Sequence, residues 1–317
     1  MKDKIIIGTR GSKLALWQAE HIAGLLRTAF PAVEIEMKII ETTGDAILET
    51  ALSKIGDKGL FTRQIEEKLL SGAIDLAVHS LKDLQTVLPD GLKIGAVTKR
   101  ETPNDALVAK NYASIDKLPL HAKVATGSLR RRSQLLNYRK DLQIFEIRGN
   151  VPTRIKKFEE SDLDAMILAF AGLHRLELDA HVKQIVPTEI MLPAVAQGVV
   201  GVEIRADDFR IERFLAKIND AETEKCILAE RSFLRTLEGG CQVPIGGFAQ
   251  LKTDEISLRG FVGNTDGSKT LRDSIVGNAE NAADLGKELA NRMIENGANR
   301  LLEATRNTVE EMPEPVI

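Results

Sequence analysis

Short, wholly apolar runs alternate with amphipathic stretches through the first two thirds of the chain. Residues 5–8 predict a buried strand. After Thr9-Arg10-Gly11-Ser12, residues 13–30 carry Leu14, Trp17, His21 and Leu25 at helical spacing. A second strand is predicted over 35–41, a helix over 61–71 stopped by Gly72, and a third strand over 73–78 that runs into His79-Ser80-Leu81-Lys82-Asp83. Strand and helix in alternation, with strands apolar on both faces, imply a parallel sheet covered on both sides. The pattern recurs after the polar, proline-bearing Glu101-Thr102-Pro103-Asn104, with a strand over 123–126, a turn at Gly127-Ser128, a helix over 129–138, and strands over 144–147 and 165–169. The chain crosses back near 193–203, where Gly198 and Gly201 punctuate an apolar stretch. The last third reads differently: a helix over 221–237, a glycine-rich turn over 239–247, strands over 248–252, 255–262 and 269–276, then one helix over 279–304. The expected fold is α/β with three domains, the first two built on mainly parallel sheets and the third a small α+β unit. The expected limits are 1–99 with 199–217, then 104–194, then 221–305, with 306–317 a frayed tail.

Composition narrows the class. With 43% hydrophobic and 28% charged residues in 317, wholesale disorder is excluded and each domain can bury a core. The longest apolar stretch, 165–173, is about half of the roughly 18 residues that a membrane span needs. The opening Met1-Lys2-Asp3-Lys4 has no signal-peptide character, so a cytoplasmic protein without membrane contact is expected. Two cysteines build neither a disulfide framework nor a cysteine-rich zinc site. The five histidines are scattered and read as structural. The net charge of −3 conceals a basic segment, 121–160, which holds ten basic residues against four acidic ones. Six of those ten are arginine, whose planar fork suits carboxylate or phosphate.

Candidate chemistry lies where strands end. Thr9-Arg10-Gly11-Ser12, Ser80-Leu81-Lys82-Asp83 and Thr126-Gly127-Ser128-Leu129-Arg130-Arg131 each combine a hydroxyl with a cation, and two of them open into a helix. A helix start offers unpaired N–H groups and a positive dipole end, so such a loop can seat an anion. Singly, each also reads as a capping serine beside a solvated arginine. Recurrence in both halves, with Arg148 and Arg154 following a further strand, favours ligand binding at the carboxyl ends of the strands. Phosphate-loop, dinucleotide, zinc-protease and serine-hydrolase motifs are absent from the sequence. Asp83 is an acid in basic surroundings, suited either to stabilising a positive charge or to a plain surface turn. Cys226 lies in an apolar helical series and reads as core. Cys241, among four glycines and a proline in 239–247, reads either as an accessible nucleophile or attachment point or as an ordinary loop residue.

Six strings, led by Gly8-Thr9-Arg10-Gly11-Ser12, His79-Ser80-Leu81-Lys82-Asp83 and Ser128-Leu129-Arg130-Arg131, appear in the order in which they occur in the porphobilinogen deaminase (hydroxymethylbilane synthase) family. The others start at Arg148-Gly149-Asn150-Val151, Leu192-Pro193-Ala194-Val195 and Leu237-Glu238-Gly239-Gly240-Cys241. Together they span nearly the whole chain, which resembles that family. The resemblance implies two periplasmic-binding-protein-like domains flanking an active cleft, and a dipyrromethane cofactor joined by a thioether to Cys241. It implies a transferase of porphyrin and haem biosynthesis that condenses four porphobilinogen molecules head to tail, releasing ammonia, and hydrolyses off linear hydroxymethylbilane. Asp83 would be the catalytic carboxylate. Lys82, Asp83, Thr126, Ser128, Arg130, Arg131 and Arg154 would hold the cofactor, and Arg10, Ser12, Arg148, Arg154 and Arg175 the substrate.

The residues suit that chemistry: each pyrrole unit brings two carboxylates, and one buried carboxylate, Asp83, would meet the positive charge that develops after ammonia leaves. Residues 42–59, with three glycines and weak structural signals, are the expected lid. The family usually has Pro at Gln85, Gly at Ala125, Ser at Gly127 and Gly at Ala196. The competing reading is a non-catalytic two-lobed protein for a small carboxylate or oxyanion, which leaves Asp83 and Cys241 idle. Nucleic-acid binding is disfavoured by 4% aromatic content and the acidic net charge. No metal is expected, and a monomer is.

Overall fold

The computed structural model describes residues 4–42, 62–237 and 243–309. The expected lid, apart from Thr42, and Cys241 both lie outside the described residues. Two compact units result: residues 4–42, 62–101 and 198–224 make one, and 102–197 with the described residues from 225 onward make the other.

The first unit holds a five-stranded sheet of β1 (Lys4–Thr9), β2 (Glu34–Ile39), β3 (Leu76–Ser80), β4 (Leu92–Val97) and β10 (Val200–Arg205), in the order β2-β1-β3-β10-β4. The strand period of two sorts its side chains onto opposite faces. Ile5, Ile7, Leu76 and Val78 pack with Ile22 and Leu26 of helix α1 (Lys13–Ala29), while Ile74 and Ala77 join Ile65 and Leu69 of α2 (Arg63–Leu70) on the other face. Burial on both sides is why β1 and β3 read as apolar runs, whereas the edge strand β2 alternates and is largely exposed.

The second unit opens with an equivalent sheet: β5 (Asp105–Ala109), β6 (Lys123–Ala125), β7 (Gln143–Phe145), β8 (Ala165–Ala169) and β9 (Val182–Ile185), ordered β7-β6-β8-β5-β9. Leu107, Val124 and Ile167 face Leu135 of α3 (Leu129–Tyr138); Val108, Ala125 and Met166 face Ile155 and Phe158 of α4 (Val151–Glu160). Each of these two sheets has one strand running against the other four, β10 in the first and β5 in the second. Each is the first strand laid down after the chain passes from one unit to the other, so the sheets are mixed rather than purely parallel.

Further along lie the short α5 (Phe170–His174), α6 (Phe209–Leu215) in the first unit, and α7 (Ala221–Thr236). An antiparallel sheet of β11 (Ile245–Lys252), β12 (Glu255–Gly263) and β13 (Thr270–Asn278) then packs on α7, α8 (Ala282–Glu295) and α9 (Ala298–Val309). The single helix expected over 279–304 is two helices. Asn296 and Gly297 intervene, and Gly297 adopts φ +96°, a left-handed conformation that ends α8. α9 continues to Val309, into the stretch expected to form a frayed tail. Glu230, fully buried on α7, accepts 2.7 Å hydrogen bonds from the Ala196 and Ala249 amides and so fixes residues 192–197 against this sheet.

Candidate active site

In the first unit, the strands β1 and β3 run parallel, so their carboxyl ends lie on one sheet edge. Beyond β1, Thr9 is buried and donates through Oγ1 to the Ala15 carbonyl at 3.1 Å, and Ser12 caps α1, accepting from the Ala15 amide at 3.3 Å. Arg10 stands between them, half-buried. Beyond β3 comes one 3₁₀ turn, Leu81–Asp83, held from three sides. Gln18 of α1 donates to Ser80 Oγ at 2.7 Å, the Leu81 amide donates to the Val199 carbonyl at 3.0 Å, and the Leu81 side chain fills space left by Gly201, where a Cβ would come within 2.7 Å of it. With Leu81 and Leu84 as the buried anchors, the turn directs Lys82 outward, half-buried, and leaves Asp83 exposed. The expectation of a buried catalytic carboxylate is therefore corrected.

In the second unit, the ends of β6, β7 and β8 again share one edge. Ser128 caps α3, accepting from the Arg131 amide at 3.5 Å, while its own amide donates to Thr126 Oγ1 at 3.3 Å. Both loop serines are thus helix caps. Capping uses a hydroxyl lone pair and leaves its proton to donate, so the two readings of these serines are compatible. The segment Arg148-Gly149-Asn150-Val151-Pro152-Thr153-Arg154 is largely a helix start. Gly149 turns at φ +120°, Asn150 Oδ1 accepts from the Thr153 amide at 3.0 Å and hydroxyl at 2.8 Å, and Pro152 lies in the first turn. This device sets Arg148 before the turn and Arg154 after it, with Arg154 Nε donating to the Gly149 carbonyl at 2.7 Å. Arg148 is 8% exposed and ion-paired to Glu146, yet its Nε is buried without a hydrogen-bond partner among the described residues. Its guanidinium passes over Gly127, where a Cβ would lie 3.6 Å from Nη1 and 3.3 Å from the Ile147 carbonyl. A Cβ at 127 would touch the guanidinium at ordinary contact distance and press on the Ile147 carbonyl. Arg175, half-buried, follows α5 at the end of β8.

Arg130 and Arg131 are not solvated first-turn residues. They are 4% and 6% exposed and converge on Asp105, which is fully buried. Its carboxyl is held well below the usual range: burial alone would raise it, and the two guanidiniums outweigh that effect. Burial pushes the Arg130 guanidinium down, opposed by Asp105. The sequence reading did not single out Asp105. Its only local signal is a lone acid heading the apolar run 106–109.

Two units that each carry cations and hydroxyls on a strand-end edge, one with an exposed carboxylate on the adjoining turn, define an α/β protein of the class whose strand ends can seat small anions. Residues 5–213 match the family model "Porphobilinogen deaminase, dipyromethane cofactor binding domain", and residues 224–295 match "Porphobilinogen deaminase, C-terminal domain". The porphobilinogen deaminase of Chlorobium phaeobacteroides is 50% identical over 312 residues, covering 97% of this chain and all of that one. That of Pelotomaculum thermopropionicum is 48% identical over 306 residues, covering 96% and 98%. Among solved structures, the methionine-binding protein MetQ is similar at 14% identity and a TM-score of 0.43, covering 71% of this chain and 94% of that one. The chain belongs to the porphobilinogen deaminase family. It is a transferase of tetrapyrrole biosynthesis with a dipyrromethane cofactor and porphobilinogen as substrate, and the non-catalytic reading is not favoured.

Proposed function

We propose that the chain performs hydroxymethylbilane synthesis with Asp83 as its catalytic carboxylate, and with the arginine-lined strand ends holding the acetate and propionate groups of cofactor and substrate. The observation that carries this assignment is Arg148: a buried guanidinium with an unbonded Nε, on an edge that also bears Thr126, Ser128 and Arg154. An orphaned buried donor of that charge calls for an anion, and the donor set suits the carboxylates of a dipyrromethane.

Bound through Cys241, the cofactor supplies a tethered pyrrole end to which incoming units are added. Lys82, Thr126, Ser128, Arg130, Arg131 and Arg154 hold its side-chain carboxylates, and Arg10, Ser12, Arg148, Arg154 and Arg175 orient porphobilinogen. Asp83, next to Lys82 and fixed through Leu81, offers a carboxylate to the positive charge that develops as ammonia leaves. A preorganised charge of this kind is the largest single contribution in many enzymes. Residues 221–305 act as a third domain carrying the cofactor cysteine. The protein works in the cytoplasm as a monomer, and neither nucleic acid nor membrane is a partner.

The test is the intact mass of the full-length protein beside a Cys241→Ser variant. Wild type carrying the mass of two linked pyrrole units, lost in the variant, supports the reading. Wild type that stays unmodified after incubation with porphobilinogen overturns it. Asp83→Asn is expected to keep the added mass and lose most turnover; turnover near wild type removes Asp83 from the mechanism.

A further inference from the structure

We propose that Asp105 is the positioning residue of the cofactor-binding arginines: one buried carboxylate that aims both Arg130 and Arg131 and sets the net charge they present. The inference rests on the reading of those two arginines as ligands of the cofactor's carboxylates.

Consecutive residues at a helix start point about 100° apart, from the 3.6-residue turn, so nothing in α3 itself brings two neighbouring guanidiniums together. Asp105 does. Its Oδ2 accepts from Arg130 Nη1 at 2.7 Å, and its Oδ1 accepts from Arg131 Nε at 3.0 Å, Arg131 Nη2 at 2.8 Å and Gln197 Nε2 at 2.9 Å. Both guanidiniums are tied at a second point, Arg130 Nη1 to the Leu192 carbonyl at 2.7 Å and Arg131 Nη1 to the Ile167 carbonyl at 3.2 Å. By the donor inventory of arginine, this leaves Nε and Nη2 of Arg130, and one proton on each Nη of Arg131, to meet other acceptors. Two long side chains are thus ordered before any ligand arrives, which lowers the entropic cost of binding.

The charge count points the same way. Two guanidiniums against one carboxylate leave a single positive charge in a nearly dry site, enough to favour a ligand carboxylate without burying two uncompensated cations. The network also reaches the chain's crossings between units. Asp105 follows the first crossing, and Gln197, which also donates to the Pro103 carbonyl at 2.7 Å, precedes the return.

The experiment measures loading of full-length apo-protein by intact mass against time with porphobilinogen, beside melting followed by circular dichroism. Asp105→Asn is expected to fold and to load at least about tenfold more slowly than wild type. In an Arg131→Ala background, itself slow to load, adding Asp105→Asn should slow loading by less than about twofold, because the carboxylate acts through the arginines. A merely structural role would lower the melting temperature in both backgrounds and slow loading equally in each, which overturns the proposal, as does wild-type loading by Asp105→Asn. If Asp105→Asn does not fold, Gln197→Ala carries the test by removing one donor to Oδ1 without changing charge: loading about two- to fivefold slower with wild-type melting supports the inference, and unchanged loading overturns it. Wild type that never gains the mass defeats the proposed function, and this inference with it; a loaded wild type beside a normally loading Asp105→Asn defeats this inference alone.

Discussion

Gly198 bears on the placement of Asp83 because it adjoins Val199, whose carbonyl accepts the Leu81 amide at 3.0 Å. The φ of Gly198 is +87°, and a Cβ there would lie 2.3 Å from the Glu101 carbonyl oxygen, a backbone atom held in place because the Glu101 amide donates to the Gly198 carbonyl at 3.0 Å. Gly198→Ala must therefore meet the left-handed penalty of about 1–2 kcal/mol and shift the backbone at Glu101, weakening a hydrogen bond worth about 1 kcal/mol. The reduced freedom of the unfolded chain returns about 0.4–1 kcal/mol. With the steric overlap included, a net loss of about 2–4 kcal/mol is expected, in line with other severe backbone clashes. Gly24, in mid-α1, is the control: a Cβ there meets nothing within 4 Å, so Gly24→Ala should stabilise by about 0.5–1 kcal/mol. The sole tryptophan, Trp17, lies on α1 of the same unit and reports its unfolding by fluorescence. With a urea slope of about 1–3 kcal/mol per molar, the Gly198→Ala midpoint should fall by about 1–2 M and that of Gly24→Ala should rise. The same shift moves the Val199 carbonyl that anchors Leu81, so turnover should fall by roughly 10²-fold for a displacement near 1 Å. A Gly198→Ala midpoint within about 0.3 M of wild type would refute this account of the turn.

Three further outcomes are expected. Burial, with the Glu203 carboxylate nearby, holds the Glu66 carboxyl above its ordinary value, and Glu66 Oε1 is buried without a hydrogen-bond partner among the described residues. The folded protein therefore binds this proton more tightly than the unfolded chain, and the group's contribution to stability falls as pH rises from the ordinary carboxylate value through the raised one; urea titrations should show Glu66→Gln stabilising more at pH 8 than at pH 5. Asn150→Ala removes the cap of α4 and should cost about 1 kcal/mol in urea titrations followed by circular dichroism. Ala196 stands at φ +62° with its side chain buried, so relief of left-handed strain in Ala196→Gly is offset by the lost methyl burial and the freer unfolded chain, and stability should change by less than about 1 kcal/mol.

β1, β3 and β8 were legible because their runs are apolar without interruption, and α1 and α3 because a capping serine precedes each; β5, buried throughout, was not read as a strand, since its apolar run is only four residues behind Asp105. Direction was not legible. Val200 and Val202 look the same in a strand running with or against β3, and only the crossing of the chain decides. β4 and β9, with lysines and a glutamine among their apolar residues, gave weaker signals, and α4 was hidden by the proline that in fact begins it. At the candidate site, the loop residues declared themselves by motif, whereas Asp105 did not, since its partners lie 25, 26 and 92 residues away. The exposure of Asp83 was equally unreadable, for it follows from which neighbours, Leu81 and Leu84, the turn buries.

The strand order of the first sheet has a consequence for synthesis. β10 lies between β3 and β4, yet it is translated only after the whole of residues 102–197. As the chain leaves the ribosome, the second sheet has all five of its strands while the first still lacks an inner one, with the edges of β3 and β4 unpaired. The first sheet is therefore the later of the two to close, and a chain interrupted anywhere before residue 200 leaves that sheet without an inner strand, however much of its N-terminal sequence is intact.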